Sequence, residues 1–160
     1  MNDESDPPTI PPPRLGEIGL SNFAPYLMNR IMGRYNASLR EELAKQGLTT
    51  AKMRAMASLS VLDGPLIREL AVYTVIEQST LSRALDQLDA AGLVRREPDP
   101  SDSRATRVYL TEAGRAAHEA LWPQMFDAYD RMFRGIPDAE RRAFVGTLQK
   151  ILTNIRKHDI

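Results

Sequence analysis

Between Gly92 and Thr111 the apolar period of this chain switches from that of a helix to that of a strand, then back. That single excursion narrows the possible folds more than any other feature. Upstream, Phe23, Leu27, Ile31, Leu39 and Leu43 recur at helical spacing from Ser21 to about Gln46, and Leu81, Leu85 and Leu88 do so from about Glu77 to Ala91. "LVRRE" and "RVYL" then alternate with period two across about nine Asp/Pro/Ser-rich residues, which predicts a hairpin. Downstream, Thr111 caps a helix reaching towards Arg134, and Phe144, Leu148, Ile151 and Ile155 stripe a last helix that starts near Pro137. The expected class is mainly α with one small β-hairpin.

The remaining elements follow from punctuation. Pro25 opens the first helix and Gly47 closes it. Thr49 or Thr50 caps "AKMRAMASLSVL", which stops at Asp63-Gly64-Pro65, and "LIRELA" is a short third helix. Thr74-x-x-Glu77 is a capping-box pattern, which would start the fourth helix three residues earlier. Pro123 should kink or break its helix. Residues 1–19, with five prolines, read as an extended tail. The two end helices carry apolar stripes with little to bury them, so a second copy of the chain is expected to cover them in a homodimer.

A length of 160 residues suits one domain. No run of eighteen apolar residues would span a membrane, and "MNDESDPPTIPPPRLGEIG" lacks the features of a signal peptide, so a cytoplasmic location is expected. The chain has no cysteine, which removes disulfides and thiolate chemistry. Formal net charge is zero, but Asp3, Glu4, Asp6 and Glu17 against Arg14 leave residues 1–20 at −3 and the rest at +3. Of the 21 basic residues 17 are Arg, whose planar fork suits phosphates and base edges. His118 and His158 lack partners at metal-ligand spacing. With no phosphate loop or nucleophile motif either, no enzyme activity, metal or cofactor is expected.

"LIRELAVYTVIEQSTLSRALDQLDAAGLV", Leu66 to Val94, reads as a helix-turn-helix whose second helix enters the major groove. Gln78, Ser79, Thr80, Ser82 and Arg83 lie in its first two turns, off the leucine stripe, where they can meet bases and phosphates. The same residues are also ordinary on a solvated helix, and Arg83 has Asp86 or Gln87 within reach. The hairpin behind that helix would extend along the duplex. Arg104 at its tip suits the negative potential of a narrow minor groove. Asp102 would cap the turn or hold an arginine, and Arg95, Arg96 and Arg107 on the stems would touch phosphates. The alternative is a solvated hairpin whose arginines are offset by Glu97, Asp99 and Asp102.

"LDQLDAAGLVRREPDPSDSRATRVYLTEAG" resembles the MarR family of winged helix-turn-helix regulators. The specific part is Asp102-x-Arg104 followed by Val108-x-Leu110-Thr111-x-x-Gly114, directly behind "STLSRALDQLDAAGLV". The resemblance covers roughly residues 20–158. It implies a homodimer pinned by the long terminal helices (20–47 and 111–158), a DNA-binding lobe (48–110) and a near-palindromic double-stranded operator. Repression relieved by a small aromatic or phenolic acid is the common mode. It also implies Arg104 as the minor-groove arginine and Asp102 as its partner, with Ser79, Thr80, Ser82 and Arg83 at the major groove. Val75 and Glu77 depart from the usual glycine and small polar cap.

An effector pocket is expected where the methionine-rich helices converge, near Tyr26, Arg30, Met53, Met56 and Trp122. Core packing is the more ordinary explanation of any single methionine. A dimeric, non-enzymatic protein-interaction module using the same stripes is the alternative function.

Overall fold

A computed structural model describes residues 11–160. The element order is α1 (Leu15–Ile18), a 3-10 turn (Leu20–Asn22), α2 (Ala24–Ala44), α3 (Thr50–Leu59), α4 (Ile67–Thr74), α5 (Gln78–Ala90), β1 (Val94–Pro98), β2 (Thr106–Leu110), α6 (Glu112–Met132) and α7 (Asp138–Ile155). The chain divides into two compact units, one ending at Ser38 and the other running from Leu39 to Ile160.

In the first unit, the tail expected to stay extended to residue 19 folds from Leu15. The Glu17 carboxylate accepts from the Arg14 backbone N–H at 3.0 Å, and Asn22 Nδ2 donates to the Ile18 carbonyl at 3.0 Å. The first ten residues of that tail lie outside the described residues. Along α2, Leu27, Ile31 and Met32 are 41–46% exposed, an apolar stripe without cover.

The second unit is organised around a leucine-rich core. Ala55, Met56 and Leu59 from α3, Leu70 from α4, and Leu81, Leu85 and Leu88 from α5 meet Val94 and Val108 of the hairpin and Leu121 of α6. The helical stripes bury themselves on one another and on one face of the hairpin, which a two-stranded ribbon needs in order to be stable. β1 and β2 pair antiparallel with Val94 opposite Leu110 and Arg96 opposite Val108. The connecting loop is Asp99–Ala105, shorter than nine residues because Pro98 and Thr106 still pair. A third segment adds to the edge: the Val108 N–H donates to the Pro65 carbonyl at 3.1 Å, and Leu66 bridges Arg107.

Two local expectations are corrected, and the turn between them shows an unusual backbone. Thr74 does not cap α5. Its hydroxyl donates back to the Leu70 carbonyl at 2.8 Å within the last turn of α4, and α5 begins at Gln78 behind Glu77. Val75 closes α4 in the left-handed conformation, φ 54° and ψ 46°, where helices usually place glycine. It is the one positive-φ residue other than glycine among those described. Finally, α6 runs unbroken through Pro123. The proline removes one donor, that to the Glu119 carbonyl, at an exposed turn where water can take its place, and the bonds on either side persist.

The junction of hairpin and α6 explains the Thr111-x-x-Gly114 spacing. Thr111 Oγ1 accepts from the Gly114 N–H at 3.0 Å and donates to the Gly92 carbonyl at 2.7 Å, while the Thr111 N–H donates to the Leu93 carbonyl at 3.1 Å. Gly114 is buried against that same Leu93 carbonyl. A Cβ there would overlap the carbonyl oxygen and sit 2.7 Å from Leu110 Cδ1.

Candidate nucleic-acid interface

Helix α5 is amphipathic. Leu81, Ala84, Leu85 and Leu88 are buried, and this leaves Gln78, Ser79, Thr80 and Arg83 exposed with Ser82 half-buried. Its head carries free backbone N–H groups, since Glu77 makes no side-chain cap. The Glu77 carboxylate instead accepts from the Ser79 hydroxyl at 3.0 Å. Arg83 leans back along the helix, Nε donating to the Ser79 carbonyl at 3.4 Å.

The hairpin tip is built by two aspartates. Asp99 is buried and accepts from the Ser101 and Asp102 N–H groups at 3.2 and 3.1 Å. Asp102 Oδ1 accepts from the Arg104 backbone at 3.1 Å and from its Nε at 3.2 Å. The Arg104 side chain stays 91% exposed at the apex, the most exposed arginine of the hairpin's ion pairs.

The stem arginines are used differently. Arg107 donates to Asp99 at 2.6 Å and to the Gly64 carbonyl at 2.7 Å, tying the loop base to the α3–α4 connection. Its hydrogen bond holds the Asp99 carboxyl below the usual carboxylate range, and Asp99 in turn raises Arg107. Arg96 donates to Asp86 at 2.8 Å and lies 3.8 Å from Asp89, clamping β1 to α5. Arg95 pairs with Glu97 and stacks 4.2 Å from the Tyr109 ring centre. Only Arg104 of the four therefore keeps its guanidinium mostly in solvent.

A cleft of about 240 Å³ separates the tip from the heads of α4 and α5, lined by Leu66, Ile67, Arg68, Gln78, Asp102, Arg104, Ala105 and Thr106. Sequence reasoning missed Arg68. Its position on the exposed side of "LIRELA", in the first turn of the helix that precedes α5, was the available signal.

The other expected site residues do not form one described cluster. Tyr26 and Arg30 belong to the first unit, where Arg30 Nη1 donates to the Tyr26 hydroxyl at 3.3 Å. Met53 and Met56 are 3% and 0% exposed, and Met56 belongs to the core cluster. Trp122 is 51% exposed and, with Ala57, Ser60, Val61, Arg115, His118 and Glu119, lines an open cavity of about 580 Å³. The His118 ring centre is 6.1 Å from that of Trp122. Burial, the larger influence, lowers the imidazole's pKa below the usual 6.5; Glu119 opposes and Arg115 adds to it. Among the described residues no cluster of His, Asp or Glu is arranged to hold a metal, and no helix is long and apolar enough to cross a membrane.

This arrangement of α3, α4 and α5 followed by a braced two-stranded wing is that of a winged helix-turn-helix DNA-binding protein. The MarR family profile matches residues 46–105. A MarR family transcriptional regulator from Silicibacter pomeroyi is 61% identical in sequence, with a TM-score of 0.87 over 92% of this chain and 100% of that one. Bordetella bronchiseptica BpsR, whose structure concerns regulation of DNA binding by 6-hydroxynicotinic acid, is 28% identical, with a TM-score of 0.70 over 80% and 97%. The transcriptional repressor IacR of Pseudomonas putida is 25% identical over 89% of this chain and 86% of its own. The chain belongs to the MarR family of transcriptional regulators.

Proposed function

We propose that this chain acts as a homodimeric repressor that holds a near-palindromic duplex until a small anionic aromatic molecule releases it. The carrying observation is the wing tip. All four wing arginines have a carboxylate partner, but Arg96 and Arg107 are spent on bracing the fold and Arg95 lies along the stem beside Glu97, whereas Arg104 stands at the apex, 91% exposed, with Asp102 setting its direction. A cation fixed in direction and free of burial is what a narrow minor groove selects. Gln78, Ser79, Thr80 and Arg83 would then read the major groove, with Arg68 and Ser82 on flanking phosphates.

The dimer follows from what the single chain leaves bare. α7 spans 18 residues and buries none of them, while Phe144, Val145, Leu152 and Ile155 are 38–71% exposed. A helix of that length without a packed face is marginal in water. Trp122 and Phe126 on α6 are also about half exposed, and a second copy would cover these stripes. Two reading helices must then fall about 34 Å apart, one turn of DNA. The Trp122 cavity, with an apolar floor, Arg115 and His118, suits a planar acid. A ligand favouring another helix spacing weakens DNA binding by its differential affinity for the two states.

The test uses a duplex enriched by the full chain from a randomised pool. Light scattering should give a dimer, and Arg104→Ala should weaken binding about tenfold with the dimer intact, the loss of one charged contact per half-site. Binding unchanged in Arg104→Ala would remove the wing from the account.

A further inference from the structure

The turn between α4 and α5 holds a residue that its own fold does not reward. Val75 takes a left-handed backbone, φ 54° and ψ 46°, which a β-branched side chain disfavours because Cβ crowds the following carbonyl. Val75 is 82% exposed, so burial returns little for that strain. The backbone bonds of the turn, Val75 N–H to the Val72 carbonyl and Ile76 N–H to the Ala71 carbonyl, need only the left-handed angle. Glycine meets that need without strain and without an apolar group in water. The neighbours show that the turn is held firmly: Thr74 is buried with its hydroxyl bonded, and Ile76 packs against the core. Val75 is therefore presented outwards on a rigid base, three residues before Gln78. Strain that persists without internal return is a pointer to function.

We propose that Val75 is a specificity-determining contact, its methyl groups packing on the C5 methyl of a thymine at the edge of the half-site. This rests on the reading of α5 as the major-groove helix. The surrounding chemistry favours a base over the backbone. An isopropyl group has nothing to offer a phosphate, whereas the thymine methyl is the apolar feature of the major groove. The adjacent Glu77, exposed and negative, also keeps this corner away from phosphates. The half-site should thus require thymine at one position for its methyl group and not for its hydrogen bonds.

The experiment uses the full chain and the duplex it enriches from a randomised pool. Wild type and Val75→Gly are titrated against that duplex and against versions in which each thymine in turn is deoxyuridine, which lacks only the methyl. Melting is followed in parallel. Val75→Gly should melt no lower than wild type yet bind about fifteenfold more weakly, the effect of losing roughly one buried methyl contact in each of the two half-sites. One thymine-to-deoxyuridine change, in a single half-site, should weaken wild type about fourfold and leave Val75→Gly unaffected. Equal binding by the two proteins, or no position at which the effects are coupled, overturns the assignment of Val75 while leaving the reading helix in place. A wild-type chain that enriches no duplex overturns both. If Val75→Gly melts lower, Val75→Asn, which tolerates the left-handed angle, repeats the coupling test, and its absence there counts equally against the contact.

Discussion

Replacing Gly114 with alanine separates local propensity from packing, because the two predict opposite signs. By propensity alone, alanine in a helix is favoured over glycine by about 1 kcal/mol. The structure argues otherwise. The new Cβ would overlap the Leu93 carbonyl oxygen and approach Leu110 Cδ1 to 2.7 Å and the Leu93 carbonyl carbon to 2.9 Å. Two of these three atoms are backbone, so no rotamer change relieves the clash. The Leu93 carbonyl also accepts from Thr111, whose hydroxyl caps α6, so moving it loosens the whole junction. Overpacking costs about 1–3 kcal/mol and a lost cap about 1 kcal/mol; set against the propensity gain, the net is about 2 kcal/mol of destabilisation. For a chain of this size that lowers the Tm by roughly 4–8 °C. Thermal melting at fixed protein concentration reads it, since a dimer's Tm moves with concentration. A Tm equal to or above wild type would refute the close approach of α6 to the wing.

Further outcomes follow from the same contacts. Asp86→Ala should leave Arg96 only its longer contact with Asp89, loosen the wing and weaken selected-duplex binding several-fold in a titration, although Asp86 lies on the exposed flank of α5 and need not touch DNA; undiminished binding would show that the wing does not need the Asp86 clamp. His118 is held below its usual 6.5, so the unfolded chain takes up the proton first and stability falls as pH drops below about 6.5; His118→Gln should flatten that part of a Tm-versus-pH profile. Asp99 is held below its usual 3.8, so the stability it lends is present at neutral pH and lost as pH falls through its folded value; Asp99→Asn should melt below wild type at pH 7, with the gap narrowing in acid.

Periodicity made much of the fold legible. The leucine stripe of α5, the alternation of the strands and the Thr111 cap are local signals, and each marks an element within a few residues. What escaped depends on neighbours distant in sequence or on the tolerance of a whole element. Pro123 is a breaker by rule, yet the turns flanking it keep α6 continuous. Thr74 and Glu77 fit a capping box, but the Leu70 carbonyl claims the threonine hydroxyl. Arg96 and Arg107 look like phosphate ligands in a list of charges. Their carboxylates lie ten and eight residues away: Asp86 meets Arg96 only once the hairpin folds against α5, and Asp99 meets Arg107 only once the hairpin itself closes. Asp86 and Asp89, one turn apart on α5, were the clue to the first of these pairings.

The most direct measurement is a pair of footprints on the selected duplex, dimethyl sulfate for the major groove and hydroxyl radical for the minor. With wild type, two symmetric major-groove patches about one helical turn apart should be protected, each flanked by a protected minor-groove stretch that Arg104→Ala exposes again. Protection confined to one half-site, or flanks that stay protected without Arg104, would contradict the winged dimer on DNA.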